Sequence, residues 1–338
     1  MVLCSLHLIS LQEGASSLSA FLTALHDAGI EPVVRARVLR WMILPKEISA
    51  GYLLARNIRW DALLILPSNL TSSTSSSSSS SSSESPPLTA PSLLESIFAK
   101  YVSAEWKAEV GTSSKLLSSY ASTNAHLLNA SPTATTNIQH MTPLTPAPDP
   151  DPDQGEATDK KKKKNKKKAS SSSPQNLEPS RELSAYISSL PAPLRRHPVS
   201  MLNLLSFNEG KKADYVRYGQ EFSSRVGSRY GGRVKIVGKV TSVSSSYYQP
   251  NETVKQQQKK QKQNHQEEKE AEDWDEIAFV HYPSIVNFAA MAGDADYQDV
   301  NRKYRLGALR DTFILCVLEV GLNGEPVALG RKSVQSKL

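Results

Sequence analysis

Two cysteines in 338 residues, Cys4 and Cys316, cannot build a disulfide framework, and neither has a second thiol or a histidine at metal-ligand spacing. Each sits inside a β-type apolar run, so two buried thiols in a reducing compartment are expected. No stretch approaches about twenty uninterrupted apolar residues, and Met1 to Glu13 lacks the basic flank and long apolar region of a signal peptide. No membrane insertion is expected, and the expected location is the cytoplasm. A Ser-His-Asp order, a metal cluster and a P-loop are missing as well, so neither a metal nor a cofactor is expected. Gly231-Gly232 is turn chemistry, since no strand, Gly-x-Gly and helix order surrounds it.

Positive charge is less abundant than it first looks. The run Lys160 to Lys168 holds eight lysines, and removing eight from the formal +7 leaves −1. The foldable regions are thus nearly neutral, with no basic stripe and interleaved aromatics, and a nucleic-acid partner is not expected. The lysine run itself reads as a solvated linker, with nuclear import as the alternative.

Three tracts hold too little apolar surface to offset a backbone-ordering cost of about 1–2 kcal/mol per residue. They are the serine tract 70–87, the Pro/Asp/Lys/Ser stretch 131–180 and the Gln/Lys/Glu-rich stretch 244–273, all expected to be disordered. They divide the chain into an N-terminal half, 1–130, and a C-terminal domain, 181–338, joined by the 131–180 linker.

The second half reads as strand, helix, strand, strand, helix, strand. Val199, Met201, Leu205 and Phe207 alternate with Leu202 and Leu204, a strand buried on both faces. Tyr215, Tyr218, Phe222 and Val226 form a helical stripe that stops at Gly231-Gly232. Val234, Ile236 and Val240 alternate again, Trp274 to Tyr282 is a strand ended by Pro283-Ser284, and Ile285, Phe288, Ala289 and Ala292 share one helix face. A second helical piece carries Tyr297, Val300 and Tyr304, and Thr312 to Val320 is the last strand.

The first half repeats this more weakly, with strand Val2 to Leu11, helix Ser17 to Ala28, strand Val33 to Leu44, strand Trp60 to Leu66 and helix Leu93 to Val110. Trp60-Asp61 through Pro67-Ser68 echoes Trp274-Asp275 through Pro283-Ser284 in its start, apolar run and end. Because the second copy is two residues longer and strand side chains alternate with period two, both ends present the same faces. No final strand is expected in this half, and Lys115 to Ala130 reads as helix.

The residues Met201-Leu202-Asn203-Leu204-Leu205, the Tyr215 and Tyr218 pair, Tyr230-Gly231-Gly232-Arg233, Phe279 to Ser284 and Arg305 to Thr312 together give a resemblance. The second half resembles a fungal and bacterial family of unknown function within the dimeric α/β-barrel superfamily, over about a third of the chain. The resemblance implies an α+β fold of two ferredoxin-like (βαββαβ) units, antiparallel sheets with helices on one face, packed as an intramolecular dimeric α/β barrel around a pocket. It further implies a monomer with pseudo-dimeric halves, or a homodimer.

Four residues are candidates for that pocket. Asn203 puts an amide on an apolar strand face, where it needs a partner in backbone, water or ligand. His281 shares parity with Ile277 and Phe279 and could act as a general base beside Asn203, although a lone histidine on an apolar face is more often a satisfied core residue. Tyr218 lies on the helical stripe, and Arg305 can hold an anionic group or pair with an acid near the helix end. The leading expectation is a protein that binds a small organic ligand. The alternatives are a cofactor-independent monooxygenase or isomerase with His281 as catalytic base, and a non-catalytic interaction protein.

Overall fold

Most strands are buried on both faces, and in the computed structural model those faces meet different cores; β6 leaves its outer face largely exposed. The structure describes residues 1–13, 17–67, 90–129, 175–248 and 274–327. Its strands are β1 (Val2–Leu11), β2 (Val34–Ile43), β3 (Ala62–Pro67), β4 (Val102–Thr112), β5 (Val199–Phe207), β6 (Arg233–Tyr247), β7 (Glu276–Tyr282) and β8 (Leu309–Glu319). Each is antiparallel to its neighbours, and the order β1-β3-β2-β8-β5-β7-β6-β4 closes on itself.

One face of every strand fills the barrel. Leu6 and Leu8, Leu63 and Ile65, Leu202 and Leu204, and Phe279 and Leu315 all point inward. At the centre, Phe313 receives the rings of Trp41, Trp106 and Trp274 edge-on, at 5.3, 5.9 and 5.4 Å between centroids. Helix α2 (Ala50–Leu53) and its flanks close one mouth: Ser49 Oγ accepts from the indoles of Trp106 and Trp274 at 3.2 and 3.1 Å. The Asp311 carboxylate anchors this plug by accepting the backbone N–H groups of Lys46, Glu47 and Ile48.

Most of the other strand faces lie under helices. Helices α1 (Leu18–Asp27) and α3 (Ala90–Tyr101) cover β1, β3 and the start of β4. After α4 (Ser114–Ser118), α5 (Tyr120–Asn129) crosses to the second mouth. Beyond α6 (Arg181–Ser189) and α7 (Ala192–Arg195), the layer over β5, β7 and β8 is α8 (Lys212–Glu221), α9 (Ile285–Ala292) and α10 (Ala295–Val300).

This overturns the expected pair of ferredoxin-like units packed as a dimeric α/β barrel. The strands form one closed eight-stranded antiparallel barrel with its helices outside. The seams decide it: β2 bonds to β8 and β4 to β6, so no edge is left and the two halves share one sheet and one interior. Alternation reports which faces are buried but not which edges pair, so it could not distinguish two stacked sheets from one wall. The expected helix Leu93 to Val110 is also corrected. The helix ends at Tyr101, and Ala104, Trp106, Ala108 and Val110 alternate inward along β4.

The serine tract 70–87 and the Lys160 to Lys168 run lie outside the described residues. Of the other two tracts, the described parts are ordered: Gln175 and Leu177 are buried, and 244–247 continues β6.

The two Trp-Asp segments make matching bonds. Asp61 Oδ2 accepts the Leu11 N–H at 2.9 Å and Asp275 Oδ2 accepts the Phe207 N–H at 2.7 Å. The Asp61 N–H donates to Ile9 O as the Asp275 N–H does to Leu205 O, both at 2.8 Å, and the Val38 and Val240 N–H groups donate to the two aspartate carbonyls, both at 2.9 Å. Position by position, β1 therefore corresponds to β5, and His7 to Asn203.

Candidate functional site

The outer face of β5 turns Met201, Asn203 and Leu205 towards the helix layer, and three helical segments complete a chamber over them. Helix α8 supplies Tyr215 and Tyr218 and runs directly into a π-helical turn, Phe222–Val226. Opposite it, α10 is capped by Asp294, which accepts the N–H groups of Asp296 and Tyr297, and continues into a second π-helical turn, Asn301–Arg305. Each turn widens its helix by one residue, a distortion that concentrates at functional sites. Between them lies a cavity of about 160 Å³.

Its wall is largely apolar, with Met201, Leu205, Phe222, Phe288 and Ile314. Into this wall come Asn203, Tyr215, Tyr218, Tyr297 and Arg305. The Asn203 amide donates to Met201 O and Ala278 O, both at 3.1 Å, which leaves its carbonyl oxygen for another donor. Burial pushes the hydroxyls of Tyr215, Tyr218 and Tyr297 above the usual tyrosine range, so all three stay neutral phenols. Arg305 is 2 % exposed. Its Nη1 donates to Gln175 O at 3.2 Å and Asn301 Oδ1 at 3.3 Å, while its buried Nη2 has no hydrogen-bond partner. The carboxylate in the wall, Glu276, is paired with Lys212.

Asn203, Tyr218 and Arg305, singled out separately in the sequence, thus meet at one cavity, and Tyr215 joins them. His281 does not. The register pairs Asn203 with Ala278 and Ser200 with His281, so His281 faces the barrel interior while Asn203 faces the helices. Beside it stand Lys235, Glu319 and Ser200. Lys235 Nζ pairs with Glu319 and donates to Asn124 Oδ1 at 2.9 Å, and Tyr120 OH donates to Glu319 at 3.1 Å, so α5 seals this mouth. Burial first, and then the charges of Lys235 and Arg233, push the imidazole down to about 3.

A third buried constellation gave no signal in the sequence beyond Ser5 and His7 sharing a strand face. His7 Nδ1 lies 2.5 Å from Glu105 Oε1 and its Nε2 lies 2.7 Å from Ser5 Oγ, while Tyr248 OH donates to Glu105 Oε2 at 2.8 Å. Burial raises the Glu105 carboxyl, but the bonds from His7 and Tyr248 outweigh it and hold the group below the usual range. An ionised Glu105 only accepts, so His7 Nδ1 carries the proton. The order resembles a nucleophile relay, yet Ser5 is 0 % exposed and the backbone around it is committed to the ladders with β3 and β4. A nucleophile needs a path for substrate and donors for the developing oxyanion, and neither accompanies Ser5 among the described residues.

No cluster of three or more His, Cys, Asp or Glu suited to a metal occurs among the described residues, and no described helix is long and apolar enough to cross a membrane.

No family model matches the chain, and no curated protein matches it. It is similar to a solved structure of RPA0582, a protein of unknown function from Rhodopseudomonas palustris, at 23% identity over 42% of this chain and 94% of that one, with a TM-score of 0.29. The methylated form of RPA0582 is similar at 23% identity, over 43% and 93%, with a TM-score of 0.28. At those scores the likeness carries no argument about this chain.

Proposed function

We propose that the chain is a small-molecule-binding protein whose ligand seat is the cavity between the outer face of β5 and helices α8 to α10. The observation that carries this is the convergence of Asn203, Tyr218 and Arg305, more than a hundred positions apart end to end, on one cavity of about 160 Å³. A dry cavity of roughly 150 Å³ is enough to hold a benzene-sized molecule. Apolar walls with a few convergent polar groups are the usual make-up of a ligand site. The seat lies outside the barrel, not between two sheets, because the interior is filled around Phe313.

An oxygenase or isomerase with His281 moving the proton has less support. His281 lies on the opposite face of the sheet from Asn203, and its depressed basicity ill suits a general base near neutral pH.

The test uses Gly219, which lines the cavity on α8 and at which an added Cβ would meet nothing within 4 Å. Toluene titrated into the full chain should raise its thermal midpoint and shift methyl NMR signals of Met201 and Met291. Gly219→Leu should abolish both effects while keeping a cooperative transition. Toluene binding equally well to Gly219→Leu, or no small aromatic molecule binding to the native chain at all, would overturn the assignment.

A further inference from the structure

We propose that the ligand of this cavity is a small monocarboxylic acid bound as its anion, its carboxylate against Arg305 and its hydrocarbon part against Met201, Leu205 and Phe222. This rests on the cavity being a ligand seat and adds the chemistry of what sits there. The argument starts from charge. A guanidinium is always protonated and presents five donors in a rigid fork, and removing such a charge from water is unfavourable unless it is paired. Arg305 is 2 % exposed, yet its two hydrogen bonds, both through Nη1, go to a backbone carbonyl and an amide oxygen, neither of which neutralises it. No carboxylate lies within ion-pair distance of it among the described residues. The neighbouring tyrosines stay neutral and so supply no counter-charge. The buried Nη2 has no partner.

What is missing on this wall is an anion, and its type follows from the remaining surface. A guanidinium fork matches a carboxylate in geometry and leaves no net charge when paired one to one. A phosphate dianion would bring a second negative charge into a wall whose lining offers no basic side chain besides Arg305. The volume admits a single ring or a short branched chain beside the carboxylate. Tyr215 and Tyr218, with ring centroids 5.3 Å apart, give that part an aromatic wall.

The test compares benzoate, its neutral isostere benzamide, and toluene by calorimetry and ligand-observed NMR on the full chain. Benzoate should bind at least tenfold more tightly than benzamide. Arg305→Met should lose at least tenfold for benzoate and erase its preference over benzamide, and Arg305→Lys should fall between. If benzamide or toluene binds native protein as tightly as benzoate, the carboxylate assignment fails and the ligand seat survives. If none of the three binds, both fail. The comparison on native protein decides the question even if the Arg305 variants do not fold.

Discussion

His7 and Asn203 occupy corresponding places in the two halves of the barrel, and what surrounds them differs in kind. Around His7 every strong polar group finds its partner inside the protein: Ser5 and Glu105 flank the imidazole, and Tyr248 takes the second carboxylate oxygen. Phe98 of α3 then closes over the ring edge-on at 5.7 Å. Around Asn203 the helix layer stands off, two π-helical turns replace regular helix, and a guanidinium is left with a bare donor. The same strand scaffold therefore carries one face finished by its own residues and one whose electrostatics are incomplete. An incomplete face costs stability, and such a cost is most readily retained where a ligand completes it.

The largest effect should come from the interior that both halves share. Phe313→Ala removes the ring on which Trp41 and Trp106 of one half meet Trp274 of the other, and should cost about 3–5 kcal/mol in chemical denaturation. The loss should fall on a single transition. Two separate transitions would break the picture of one shared core.

Glu319→Gln leaves the Lys235 ammonium buried without its counter-charge and should cost about 3 kcal/mol, with the double change Lys235→Met and Glu319→Leu recovering most of it. Recovery failing would assign the pair a role beyond mutual neutralisation. His281 gives a pH-dependent contrast on the same wall. Its folded value is about 3 and its unfolded value about 6.5, so between these the unfolded chain holds a proton that the native state does not. Stability therefore falls as pH drops through that window, by up to about 1.4 kcal/mol per pH unit, and His281→Leu should flatten this part of the acid limb.

Asp61→Ala and Asp275→Ala probe the correspondence of the halves directly. Each removes a carboxylate from one backbone N–H, and the two losses should match at about 1.5–3 kcal/mol. Unequal losses would mean that the geometric likeness is not an energetic one. The smallest effect, and the sharpest, is expected at Arg305. Arg305→Met should leave the ligand-free chain as stable as before or more stable by about 1 kcal/mol, because it removes an unpaired buried charge.

Much of this was legible along the chain for reasons that also set the limits. Strand alternation and the helical stripe on α8 located seven of the eight strands and most of the helix layer, because period reports burial. It missed β4, where the expected helix from Leu93 was carried through to Val110 although Ala104, Trp106, Ala108 and Val110 alternate with period two. The Trp-Asp echo was visible because both segments perform the same capping of a neighbouring strand. Barrel closure was not, since hydrogen bonding at the seams is made by backbone groups that every residue carries. Asn203 and Tyr218 stood out as polar groups on apolar faces, and Arg305 as a cation near the end of the last helix. Their meeting, and the separation of His281 from them, depended on β5–β7 register, which one sequence does not encode locally. The contact of Glu105 with His7 joins positions far apart in sequence, and nothing local linked it to the face that Ser5 and His7 share.

The two seams also bear on how the protein is made. As the chain leaves the ribosome, β1 to β4 are complete long before β6 and β8 exist, so the outer edges of β2 and β4 emerge with unpaired amides and carbonyls. Until the second half arrives, such a fragment is a template for pairing with any extended strand nearby, including another nascent copy of itself. Truncation after Asn129 should therefore yield aggregates rather than a small soluble domain, and expression of the gene should lean on cellular holdases.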